Sequence, residues 1–117
     1  MSPARVPAIT HLQFLVLATL RGTPRLGRHV RRELGRRGVR RSAPAFYQMM
    51  ARLEDAGLVA GEYDQKIVAG QIIKERRYTL TDIGSAAWRV TRDFYAETLR
   101  DEETRAASER RKAPSRA

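Results

Sequence analysis

Residues 21–41 of this 117-residue chain hold nine arginines, Arg21, Arg25, Arg28, Arg31, Arg32, Arg36, Arg37, Arg40 and Arg41, against the single carboxylate of Glu33. A guanidinium stays charged at every physiological pH and offers a planar fork of donors, so the chemistry of this segment is anion binding. A solubilising surface mixes charge signs, whereas +8 in one short stretch favours contact with a polyanion. The whole chain agrees, with 23 Lys plus Arg against 13 Asp plus Glu and a net charge of +10. Nucleic acid is the commonest partner for such a surplus. An anionic membrane is a weaker fit, because the segment lacks the aromatic and leucine face that interfacial helices bury.

Other chemistries find little support. His11 and His29 are the only histidines, they are not within a helical turn of one another, and no carboxylate cluster accompanies either. There is no glycine-rich phosphate loop, nucleophile elbow or close carboxylate pair. The expectation is therefore no enzyme, no metal and no cofactor. The absence of cysteine removes disulfides and thiolate metal sites. Arg5 followed by the apolar run 12–20 imitates a secretory signal, but the run contains Gln13, is not followed by a small-residue cleavage site, and is too short to span a bilayer. A cytoplasmic protein with no membrane partner is expected.

The elements that must position these cations announce themselves through caps and stripes. The length suits one domain with a modest core. Thr10 and Gln13 are spaced as a capping box, Ile9 and Phe14 as a hydrophobic staple, and Gly22 as the stop of a first, core helix. Thr23 and Pro24 repeat a start signal for a second helix running to about Arg37, with Gly38 as its stop and only Leu26, Val30 and Leu34 as its apolar stripe. Ser42 caps a third helix with Phe46, Met49, Met50 and Leu53 inside and Gly57 at its end. Strands over 58–63 and 72–80, with a tip at 64–70, read as a β-hairpin. Thr81 caps a long last helix with two apolar faces. Ile83, Ala86, Ala87, Val90 and Phe94 are expected to meet the core, and Trp88, Tyr95 and Leu99 to meet a partner helix, the alternative being that Trp88 and Tyr95 only cover the edge of the core. Beyond Leu99 the helix is solvated, supported by pairs such as Asp101 with Arg105, before it frays.

The order helix, helix, helix, hairpin, helix is a winged helix-turn-helix: mainly α, with the hairpin as the wing. In that geometry the third helix enters the major groove and the wing follows the backbone or the neighbouring minor groove. The sequence resembles the PadR-type transcriptional regulators. The run Ser42-Ala43-Pro44-Ala45-Phe46-Tyr47, continuing through Met50, Arg52-Leu53-Glu54 and Gly57-Leu58-Val59, follows that family's recognition-helix pattern, and Tyr78-Thr79-Leu80-Thr81-Asp82-Ile83-Gly84 is similar to its Y-x-L-T-x-x-G. The resemblance spans about residues 10–99. It departs at Gly27-Arg28, where an aromatic commonly follows the glycine, and in a longer wing carrying Ile67, Val68, Ile72 and Ile73. A single helix after the wing looks like the small subfamily that dimerises through that helix.

The resulting expectation is a sequence-specific double-stranded DNA-binding transcriptional regulator, a repressor, acting as a homodimer. Residues 1–81 form the winged-helix domain, 82–111 the dimerisation helix and 112–117 a flexible tail. Arg28, Arg32, Arg36, Arg40 and Arg41, with Lys66, Lys74, Arg76 and Arg77 of the wing, are expected at phosphates. Ser42, Pro44, Tyr47, Gln48 and Arg52 are expected to set position or specificity, with Gln48 able to pair bidentately with adenine. Trp88, Thr91, Tyr95 and Leu99 are expected at the dimer interface, where the resemblance also implies room for a small planar apolar effector. The alternative is a winged helix used for protein interaction or RNA binding without operator specificity.

Overall fold

The structure is a computed structural model and describes residues 7–112. Arg5 and 113–117, the greater part of the expected tail, fall outside them. The elements are α1 (His11–Thr19), β1 (Arg25–Leu26), α2 (Gly27–Arg36), α3 (Ala43–Asp55), β2 (Val59–Val68), β3 (Gln71–Leu80) and α4 (Asp82–Lys112). The strands form one antiparallel sheet in the order β1-β3-β2. This is the winged helix-turn-helix architecture expected from the sequence.

The start of α1 is written locally. The Thr10 hydroxyl accepts the Gln13 amide at 3.1 Å and the Gln13 side-chain oxygen accepts the Thr10 amide at 2.9 Å, which satisfies two helix-end donors reciprocally. Ile9 and Phe14 both pack on the core. The start of α2 is not local, and here the Thr23-Pro24 signal misleads. Arg25 and Leu26 pair with Tyr78 and Arg77 of β3, so α2 begins at Gly27 behind Leu26, with no side-chain cap. The Thr23 hydroxyl faces only the Pro24 carbonyl, at 3.3 Å. An open sheet edge with unpaired backbone groups outcompetes one capping bond.

The core is one cluster. Val16, Leu17 and Leu20 from α1, Val30 and Leu34 from α2, Phe46, Met50 and Leu53 from α3, and Tyr78 and Trp88 all belong to it. Burial of a dozen such side chains, each worth about 1.5–3 kcal/mol of transfer free energy, is what holds helices of this length in place.

The apolar residues of α4 divide differently from expectation. Trp88 turns inward, 7% exposed and stacked on Phe14 with 6.0 Å between ring centres, and Ile83 and Val90 turn outward, 63% and 58% exposed, whereas Ala87 packs on the core and Leu99 is exposed as expected. The apolar periodicity marks both stripes; the position of Phe14 on α1 draws Trp88 inward. Arg105 near the far end pairs with Glu102, three residues away, rather than with Asp101.

The wing is more regular than expected. Residues 64–68 are strand, paired in register to Gln71–Lys74 and beyond, and the turn shrinks to Ala69 and Gly70, with φ of 52° and 77°. Two residues at positive φ give the turn whose twist matches a right-handed hairpin.

α4 leaves the wing at a tight crossing. The Thr81 hydroxyl lies 2.6 Å from the Gly57 carbonyl oxygen and 3.0 Å from that of Leu58, and it accepts the Gly84 amide at 3.0 Å. A Cβ on Gly84 would stand 1.9 Å from the Leu58 oxygen. Gly84→Ala should therefore destabilise the fold by about 3 kcal/mol, measured by chemical denaturation, because backbone rather than a flexible side chain must move.

Candidate nucleic-acid interface

The recognition helix of the helix-turn-helix is α3. Ser42 caps it, its hydroxyl accepting the Ala45 amide at 3.3 Å, and Pro44 sits in the first turn where a missing N–H costs nothing. Phe46, Met50 and Leu53 turn inward. Pro44, Tyr47, Gln48, Ala51, Arg52 and Asp55 recur at three- and four-residue spacing on the outer face, and all are exposed. Arg41, Gln48 and Arg52 line a depression between α3 and the start of α1. No carboxylate pairs with Arg52 among the described residues. Tyr47 is half-packed at 39% exposure: it meets Phe46 edge-on, and its ring lies over Gly27, where a Cβ would stand 2.8 Å from the ring. The glycine that opens α2 is the seat of a recognition-helix aromatic, a relation the sequence carries only as two separate residues.

The arginines of α2 and the following turn form one continuous surface. Arg28, Arg31, Arg32, Arg36, Arg40 and Arg41 line a shallow cleft over Gly35 and Val39. The Arg31 Nε donates to the Arg41 carbonyl at 3.0 Å, which fixes the turn against α2. Arg36 pairs with Glu33 at 3.1 Å, but Arg32, Arg40 and Arg41 have no acidic partner among the described residues. The imidazole of His29 is held below its ordinary pKa by partial desolvation and by the neighbouring cations Arg28, Arg32 and Arg25.

The wing cations are arranged differently, with acids interleaved. Glu75 accepts Arg28 at 2.9 Å and Lys66 at 3.4 Å, and Asp64 accepts Arg77. Arg76 does not stand free for phosphate. It is bonded at 2.6 Å to Glu54 on the last turn of α3, with both side chains largely covered, and its guanidinium lies 4.7 Å from the centre of the Tyr63 ring. A Cβ on Gly61 would stand 2.2 Å from the Glu54 oxygen, so the strand carries glycine where the pair crosses it. Beside them Tyr78 is buried, and desolvation, with Glu54 adding to it, pushes its hydroxyl up to about 12. The wing is thus tethered to α3. Lys74 alone of the four wing cations makes no ion pair among the described residues.

The residues expected at a dimer interface divide. Trp88 and Thr91 are buried within the protomer, the indole between Phe14 and the Arg21 guanidinium, 3.7 Å from the ring centre, with its N–H unpartnered. Tyr95 is half-covered, stacked on His11, and Leu99 is 63% exposed. The outward apolar residues of α4 are therefore Ile83, Val90 and Leu99. No group of three or more metal-ligating side chains occurs among the described residues, and none of their helices is long and apolar enough to cross a membrane.

These features define a winged helix-turn-helix with a long C-terminal helix, and comparison with solved structures narrows the class. A PadR family transcriptional regulator from Eggerthella lenta is 32% identical, with 82% of this chain and 80% of that one covered and a TM-score of 0.56. The chain belongs to the PadR family of transcriptional regulators. A PadR family regulator from Clostridium difficile shares the fold at 15% identity and a TM-score of 0.68, with 81% and 97% of the two chains covered. Bacillus subtilis PadR, solved in complex with operator DNA, matches at 19% identity and a TM-score of 0.56, over 68% of this chain and 45% of that one. No family model matches the chain, and neither does any curated relative.

Arg76→Met should lower stability by about 1 kcal/mol, less than a fully buried pair would, because solvent screens what remains. In a double-mutant cycle with Glu54→Gln the double variant should lose less stability than the sum of the two single losses; additive losses would separate the wing from α3.

Proposed function

We propose that this chain is a sequence-specific DNA-binding regulator, a repressor, that grips double-stranded DNA as a homodimer in the cytoplasm. The observation that carries the reading is one of placement. The arginine cleft of α2 runs from the wing, at Arg28, to the turn before α3, at Arg40 and Arg41, and Arg41 then joins Gln48 and Arg52 beside the outer face of the recognition helix. Unpaired cations thereby flank a helix that presents exposed polar side chains at groove-reading spacing. Arg32, Arg40, Arg41 and Lys74 neutralise phosphates, with Arg28, Arg36, Lys66 and Arg77 available only as their carboxylate partners release them. Gln48 and Arg52 face base edges, while Ser42, Pro44 and Tyr47 fix the approach. The operator complex of Bacillus subtilis PadR supports the same mode of use for the shared fold.

Dimerisation through α4 is supported by apolar residues left exposed on two of its faces. Ile83 and Val90, seven residues apart, share one face, Tyr95 and Leu99 lie on the other, and an isologous pairing of two copies along Tyr95 and Leu99 would cover the stretch of helix that runs past the core. A planar apolar effector would then lie near Tyr95 and Leu99, with Trp88 as the fluorescent reporter. The competing reading, an RNA or protein-interaction module, predicts that structured RNA outcompetes duplex DNA.

The charge reversal Arg40→Glu with Arg41→Glu tests the docking. Gel-shift titration across salt concentrations should show a loss of about a hundred-fold or more in affinity, and a log–log salt slope flatter by about 0.9 for each phosphate contact removed. An unchanged affinity and slope would place the DNA elsewhere.

A further inference from the structure

The wing ends in a patch that phosphate binding does not explain. Ile67 is 76% exposed, Ile72 68% and Val68 46%, and Ile67 stands directly opposite Ile72 in the register. A hairpin built only to meet phosphates has no use for these side chains, and an exposed apolar tip on an edge invites aggregation unless something covers it.

Alternation along the strands identifies the face they occupy. Counting inward from the tip, the pairs Ile67 with Ile72, Gln65 with Lys74, and Tyr63 with Arg76 share one side of the ribbon. On that same side Arg76 reaches Glu54 of α3, and Tyr63, Lys74 and Tyr78 share a groove with Tyr47 and Ala51. The isoleucine pair therefore continues the ribbon face that, nearer the root, is packed against the recognition helix. Seven residues of strand lie between Gly61, held against Glu54, and Ala69, a reach of about 25 Å. Most wing carboxylates sit on the opposite face, where Glu75 and Asp64 hold Lys66, Arg28 and Arg77. The isoleucine face carries Lys74 without an acidic partner among the described residues. An apolar tip with a free cation behind it, on that same face, complements the sugar and base edges of a groove whose walls are phosphates.

We propose that the Ile67–Ile72 pair is an apolar wedge that enters the minor groove next to the major groove occupied by α3. The inference rests on the DNA-binding reading above and extends it from charge to shape. Two opposed isoleucines, with Cβ atoms about 5 Å apart and a methyl radius of about 2 Å on either side, are about 9 Å wide. An undisturbed minor groove is only about 6 Å wide. Entry thus widens the groove and bends the duplex, and flexible pyrimidine–purine steps accept this at least cost. The wedge would then select sequence at a step that no hydrogen bond reads.

The test uses the whole chain and a duplex of about 30 base pairs that it selects from a random pool, labelled at both ends for energy transfer. Ile67→Thr with Ile72→Thr keeps β-branched side chains in the strands and removes most of the apolar surface; Ile67→Val with Ile72→Val keeps that surface. The threonine variant should melt like the parent, bind about ten-fold or more weakly with an unchanged salt slope, and bend the duplex less, while the valine variant should bind and bend like the parent. Parental affinity and bending in the threonine variant would overturn the wedge alone. A change in that variant's sedimentation mass with DNA binding intact would also overturn it, showing that a second copy covers the tip. A parent chain that selects no duplex would overturn the DNA-binding reading and the wedge together.

Discussion

The carbonyl oxygens of Gly57 and Leu58 are the point at which three parts of the molecule are made to agree. The amides of the same two residues close the end of α3 by donating to Glu54 and Leu53, the carbonyls lie where β2 begins, and they receive the Thr81 hydroxyl that starts α4. The backbone amide of Thr81 also reaches Leu58, at 3.3 Å. Gly84 passes so close to the same oxygen that no side chain fits. Because the recognition helix, both roots of the wing and the long helix meet there, their mutual angles are set by backbone geometry rather than by side chains that can repack. The Glu54–Arg76 pair adds a second point of attachment farther out along the wing. The proposed docking, a helix and a ribbon on two neighbouring grooves, would require this rigidity, since a docking surface with a loose angle loses affinity to ordering.

Charge is distributed on the same logic. In α2 and its turn the arginines greatly outnumber acids, and most lack acidic partners among the described residues, so their field reaches solvent. In the wing nearly every cation is balanced. The balance stiffens the ribbon. The net charge of +10 thus resolves into an electrostatic surface on the helix-turn-helix and a nearly neutral stem.

What the sequence discloses and what it conceals follow from the range of the interactions. Thr10, Ser42, Thr81 and the glycines at 22, 38 and 57 act on neighbours within a few residues, so their roles as caps and stops are legible; those glycines do adopt positive φ, between 77° and 87°. The beginning of α2 is decided by a strand more than fifty residues away, and no local signal at Thr23 and Pro24 could reveal it. The same holds for the partners of the wing cations, which lie across the ribbon or on α3, and for the inward turn of Trp88, which depends on Phe14. The outer face of α3 was legible because helical periodicity alone separates it from Phe46, Met50 and Leu53. That Arg76 is a tether and Gly27 a seat for Tyr47 was not, because both facts exist only after the elements have packed.

In the proposed complex the arginine cleft and the outer face of α3 form one surface that reads duplex DNA, repeated by two-fold symmetry. Selection of bound sequences from a random duplex pool, with structured RNA as competitor, should return a palindromic site whose half-sites are centred about 10 base pairs, or a multiple of that, apart. Enrichment of no sequence, or of a site without two-fold symmetry, or displacement of the duplex by RNA would contradict it.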